Sequence, residues 1–252
     1  MPKILRPLAA CIGLLLLITG CGPASQAPTP ATTNAPAASK TTNGAAATNG
    51  TAPLPIGLGA SGESTRLVTE ANKLAQAGKL AEAVPLLEKA LKLTPDDEET
   101  HFNLAFYLNR LGRSDEAIQH YVEALRILPD YGEAHNNLGN LLVKKGELPA
   151  AVTNFEAAIK LQPQSSSAHN NLGNALAQQG KLTEAVDHFR EATRLRPDYA
   201  EAWLNLGNAY VAQNRLQDAI SPLQTALQIN PNLTPARNAL IRLKTRLAGS
   251  AK

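Results

Sequence analysis

Two hexapeptides, His135-Asn136-Asn137-Leu138-Gly139-Asn140 and His169-Asn170-Asn171-Leu172-Gly173-Asn174, stand 34 residues apart. Looser copies flank them at the same interval, His101-Phe102-Asn103-Leu104-Ala105-Phe106 before and Trp203-Leu204-Asn205-Leu206-Gly207-Asn208 after. A fixed period of this length restricts the fold severely. Each unit is too small to bury its own apolar face, so neighbours must stack and the array has no single central core.

Aligned on a closing proline, the period gives five units: 64–97, 98–131, 132–165, 166–199 and 200–233. Position 32 is Pro95, Pro129, Pro163, Pro197 and Pro231, and position 20 is Ala83, Ala117, Ala151, Ala185 and Ala219. Ala90, Ala124, Ala158, Ala192 and Ala226 share position 27. Position 8 is small (Ala71, Ala105, Gly139, Gly173, Gly207), whereas position 24 is large (Leu87, Tyr121, Phe155, Phe189, Leu223). Position 15 is Gly78, Gly112, Gly146 and Gly180, then Asn214.

The units resemble tetratricopeptide repeats, which are helix–turn–helix motifs of 34 residues. The resemblance covers about two-thirds of the chain and implies an all-α fold, a solenoid of five helical hairpins. Glycine or asparagine at position 15 suits the left-handed residue that ends a first helix, and proline at position 32 stops the second. Acidic residues such as those of Asp96-Asp97-Glu98-Glu99 sit well at the positive end of the next helix. Small residues at positions 8, 20 and 27 allow close helix approach. Pro149 suits the first residue of a second helix, and Pro85 and Pro222, lying further in, are expected to bend their helices without breaking them. Thr234 to Ala248 reads as a capping helix, so 234–252 comprises that cap and a tail.

By the same resemblance, first helices line a concave groove that receives a protein or peptide ligand. Asn103, Asn137, Asn171 and Asn205 fall at groove position 6, and Asn72, Asn140, Asn174 and Asn208 at position 9. An amide offers donors and acceptors together, so rows of amides can pair with an extended backbone while reading little of its sequence. The rows resemble the asparagine ladder in the repeat region of the nucleocytoplasmic glycosyltransferase that modifies serine and threonine. Phe102 and Phe106, one helical turn apart at positions 5 and 9, are candidates for an apolar anchor pocket. Position 6 has no basic residue, which argues against the family's clamp for acidic C-terminal tails. His101, His135 and His169 occupy position 4 of successive units, about 8–10 Å apart by helix packing. That is too far to share a metal at bonds of about 2 Å, and they read as structural substitutes for an aromatic, as Trp203 is in the last unit.

The chain begins with Lys3 and Arg6, then an apolar run from Ile12 to Ile18 too short to span a bilayer. Leu17-Ile18-Thr19-Gly20-Cys21 resembles the lipobox of bacterial lipoproteins. The resemblance implies that 1–20 is a cleaved signal peptide and that Cys21 is acylated and becomes the first residue. It also implies a lipid anchor in a bacterial cell envelope, and Gly22 permits delivery to the periplasmic side of the outer membrane in a Gram-negative cell. Residues 21–63, rich in Ala, Thr, Pro and Asn, have no periodic apolar face and are expected to be a disordered tether. About 40 such residues span on the order of 35 Å.

Charge narrows the function further. Residues 1–63 hold three of the 24 Lys and Arg and one of the 21 Asp and Glu, so the array is one charge from neutral and lacks the basic footprint of a nucleic-acid binder. Apart from Cys21 the only cysteine is Cys11, inside the signal segment, so no disulfide framework is expected. No nucleophile–base pair, phosphate loop or metal-ligand spacing stands out. The chain therefore reads as a membrane-anchored scaffold with no cofactor, no metal, no small-molecule substrate and no enzymatic activity. A pilotin-type assembly or transport factor for a pilus or secretion secretin is the alternative, and an accessory subunit of a glycosyltransferase is a second.

Overall fold

In the computed structural model, which describes residues 60–250, the residue at position 15 turns the chain in every unit. Gly78, Gly112, Gly146 and Gly180 have φ between 78° and 81°, and Asn214, with φ 61°, is the one non-glycine residue at positive φ among the described residues. Asparagine tolerates this region better than most side chains. Each turn ends a first helix and starts a second. The pairs are α1 (Ala60–Gln76) with α2 (Leu80–Leu93), α3 (Glu98–Arg110) with α4 (Ser114–Ile127), and α5 (Gly132–Lys145) with α6 (Leu148–Leu161). They continue as α7 (Ser166–Gln178) with α8 (Leu182–Leu195) and α9 (Ala200–Ala212) with α10 (Ile220–Ile229), and α11 (Thr234–Ser250) follows unpaired. The described residues are therefore all-helical, a tetratricopeptide-type solenoid. Each second helix stops two residues before its position-32 proline.

The alternation of small and large residues holds each hairpin together. Phe155 and Phe189 are buried, and a Cβ added to Gly139 would lie 2.6 Å from Phe155 Cε1. At Gly173 it would lie 2.7 Å from Phe189 Cε1, and at Gly207 2.7 Å from Leu223 Cδ2. The glycines at position 8 are thus sockets for position 24 of the same unit. The alanines at positions 20 and 27 are all at most 1% exposed.

Consecutive first helices approach one another, α5 to α7, α7 to α9 and α9 to α11, with no comparable approach between consecutive second helices. The first helices therefore form the inner face of the stack. Successive units are also tied by the residue at position 4. Ring N–H groups of His101, His135, His169 and Trp203 donate to the carbonyls of Pro95, Pro129, Pro163 and Pro197 at 3.0, 3.0, 3.3 and 2.8 Å. Arg237, at the same place in α11, donates to Pro231 O at 2.6 Å. Position 4 thus supplies a donor for a carbonyl left over where the previous second helix stops.

Three details differ from the reading of the sequence. Residues 60–63, assigned there to the tether, form the first turn of α1, where Glu63 lies near the positive helix end. Pro149 is the second residue of α6, not the first. Pro85 lies in an unbroken α2, but Pro222 does more than bend its helix. The bond from Ala83 N–H to Lys79 O that opens α2 has counterparts at Ala117, Ala151 and Ala185. In the fifth unit Ile220 N–H reaches only to Gln217 O, residues 216–219 form a turn, and α10 has 10 residues against 14 in α2. Pro222 has no N–H for the carbonyl of Asp218, so the first α-helical turn is lost.

Amide groove of the first helices

The residues singled out on the first helices fall into two groups. Asn171 Nδ2 donates to Asn136 Oδ1 at 3.1 Å, and Asn205 Nδ2 donates to Asn170 Oδ1 at 2.9 Å. These two rungs join position 6 of one unit to position 5 of the unit before it, along the inner face. Asn170, 4% exposed, also donates to the Tyr199 hydroxyl at 3.3 Å. Asn137 lies instead against the buried phenol of Tyr121, whose pKa burial pushes up and Asn137 draws partly back. No hydrogen bond of good geometry reaches that hydroxyl among the described residues.

The position-9 row is different. Asn140 and Asn174 are half-buried and Asn208 is exposed. Among the described residues none of the three makes a side-chain hydrogen bond, and neither does Asn103 at position 6. Asn72, at position 9 of the first unit, accepts from Tyr107 at 2.8 Å. The inner face thus carries Asn171 and Asn205, spent on the scaffold at position 6, beside Asn140, Asn174 and Asn208, unspent at position 9.

Phe102 and Phe106 are half-buried. Phe102 stacks on Tyr131 with ring centroids 4.8 Å apart and meets Tyr121 edge-on at 5.6 Å; Phe106 meets Tyr107 edge-on at 6.1 Å. Tyr131 was not among the residues read from the sequence, although its place at position 34, beside the next first helix, is visible in the alignment. Burial first, then Glu133, Glu99 and Glu98, push its phenol well above the ordinary range.

All five histidines lie in the described residues, away from the amide rows. His101 and His120 bring their Nδ1 atoms within 3.0 Å, and His169 and His188 within 3.1 Å; in the third unit His135 Nδ1 faces Asn154 Oδ1 at 2.9 Å. The partners His120, Asn154 and His188 share position 23, a coincidence the alignment would have exposed. No group of three His, Cys, Asp or Glu side chains converges among the described residues. No described helix is long and apolar enough to cross a membrane. Cys21 lies outside the described residues.

Comparison with known proteins agrees with this geometry. Models described as tetratricopeptide or TPR repeats match residues 74–121, 107–146, 136–200 and 176–247. No curated protein matches the sequence. Among solved structures, YrrB, described as a TPR protein with an unusual peptide-binding site, is 26% identical, with TM-score 0.62 over 70% of this chain and 91% of its own. PilF of Pseudomonas aeruginosa is 21% identical, with TM-score 0.66 over 75% and 86%, and MamA of Desulfovibrio magneticus RS-1 is 19% identical, with TM-score 0.64 over 68% and 97%. The last two likenesses show the fold. Helical hairpins, repeat register and matching models together place the chain in the tetratricopeptide-repeat family.

Proposed function

We propose that this chain is a lipid-anchored scaffold that holds extended peptide segments of partner proteins along its first helices. The observation that carries the reading is the unspent row, Asn140, Asn174 and Asn208. Three successive units present amides on the inner face with no side-chain partner among the described residues. Hydrogen-bonding groups repeated at the interval of the units suit a peptide main chain, whose donors and acceptors also recur regularly. The peptide-binding site for which YrrB is described supports the same reading. Phe102 and Phe106 would offer an apolar seat at the end of the row. Recovery of partners from envelope extracts tests this: N140A/N174A/N208A loses them on this account, and undiminished recovery sinks it.

The anchor in this proposal is a set of several acyl chains on Cys21, with the array held on the periplasmic side of a bacterial envelope membrane. One chain alone binds a membrane marginally, whereas several hold firmly. C21S should move the protein from the membrane to the soluble fraction. Retention of C21S in the membrane would remove the anchor from the account.

A further inference from the structure

The five histidines point to a property distinct from peptide binding. In the second unit His101 Nε2 faces Pro95 O at 3.0 Å, and a carbonyl can only accept, so the ring proton is on Nε2. The neutral ring then has a bare Nδ1, which faces His120 Nδ1 at 3.0 Å. His120 must therefore donate from Nδ1. The fourth unit repeats the arrangement: His169 Nε2 to Pro163 O at 3.3 Å, and His169 Nδ1 to His188 Nδ1 at 3.1 Å. Ring centroids are 5.2 and 5.3 Å apart and the planes tilt by 36° and 33°, so the two pairs are nearly the same object.

Proton counting sets a limit. One added proton can go to the outer nitrogen of His120 or His188 and leave the Nδ1–H···Nδ1 bond intact. A second must go to Nδ1 of His101 or His169. Two N–H donors and two positive charges would then face each other at the same distance. We propose that the His101–His120 and His169–His188 contacts are one-proton latches that join α3 to α4 and α7 to α8 and open when both rings of a pair are charged. The third unit is built without one. Asn154 Oδ1 stands where the second imidazole would be, its amide orientation set by a bond from Nδ2 to Ala150 O at 2.9 Å. With its Nε2 proton given to Pro129 O, His135 can donate to that oxygen only when Nδ1 is protonated as well, so a second proton on the ring makes this contact where it breaks the histidine pairs.

The surroundings disfavour charge on the α4 and α8 members, His120 and His188. Burial first, then the facing His101, lowers the pKa of His120; Arg113 lowers it further, and Glu116 and Glu123 oppose them. From α2, Glu88 and Lys92 line the hollow, of about 380 Å³, that this pair borders. Burial first, then His169, lowers the pKa of His188, opposed by Asp187, Glu156 and Glu184; Glu191 also faces this pair. A base whose folded pKa is depressed stabilises the fold fully above its unfolded value of about 6.5. That contribution is lost as pH falls from there toward the folded pKa, because the unfolded chain then binds more protons. Acid should therefore loosen the second and fourth hairpins before the third.

Hydrogen exchange on the full chain, expressed as protection factors at pH 7.5 and pH 5, tests the latches. The expected result is a several-fold fall in protection over 98–127 and 166–195 relative to 132–161. In H120N/H188N, which gives both units the arrangement of the third, that difference should vanish. Equal loss in all three hairpins, or a double variant that follows the parent, would overturn the proposal. Ring-nitrogen NMR of the parent is a second readout that needs no variant. It should show coupling across Nδ1–H···Nδ1 in two pairs and stepwise proton uptake, and uptake by all five rings in a single step would overturn the proposal.

Discussion

Gly139 and Phe155 meet so closely that the ring occupies the place of the missing side chain: a Cβ on Gly139 would be 2.6 Å from Cε1 and 2.8 Å from Cδ1. The first unit solves the same problem with Ala71 and Leu87, both fully buried. G139A alone should cost about 1–3 kcal/mol through overpacking. G139A combined with F155L should recover part of that loss, giving a favourable coupling in a double-mutant cycle read by denaturant unfolding. Simple additivity would contradict the socket.

The two amide rows should separate in the same kind of experiment. N171A removes the donor of the Asn136 rung and should cost about 0.5–1.5 kcal/mol, the usual net value of one hydrogen bond. N174A breaks no bond seen among the described residues and should change stability by less than about 0.5 kcal/mol. Equal losses in thermal or urea unfolding would mean that the position-9 amides are also spent on the scaffold.

This distinction marks where the sequence stopped being informative. The hairpins were legible because each device that builds them is local and recurs at one interval: the turn at Gly146, the stop before Pro163, the small residue opposite Phe155. The fate of an amide is not local. Asn171 and Asn174 lie three residues apart in the same hexapeptide, yet one reaches Asn136 in the preceding unit and the other reaches nothing described. That depends on how adjacent units pack, which no single unit encodes. The position-4 histidines were read as substitutes for an aromatic; the alignment also puts His120, Asn154 and His188 at one position, but that the two positions meet, and that position 4 reaches a proline carbonyl, emerges only when helices are stacked.

Trp203 Nε1 donates to Pro197 O at 2.8 Å. W203F keeps much of the ring and removes the donor, so it should destabilise by about 0.5–1.5 kcal/mol. W203H, which restores the arrangement of the two preceding units, should recover most of that. If both variants lose stability equally, the bond to the proline carbonyl is not what position 4 contributes.

The shortened α10 gives a prediction about local structure. P222A returns an N–H opposite the Asp218 carbonyl and removes the ring, so 216–219 should join the helix. Backbone chemical shifts of these four residues would move toward helical values. Unchanged shifts would place the cause in Leu216-Gln217-Asp218 itself and not in the proline.

The central claim is that partners lie against the unspent amides of the first helices. Site-specific photo-crosslinking in intact cells tests it most directly, with the crosslinker at position 140 or 174 on that face and at position 187, an exposed site on α8, as the comparison. The account predicts discrete crosslinked partners from 140 and 174 and none of the same species from 187. The same species from 187, with none from 140 or 174, would contradict it.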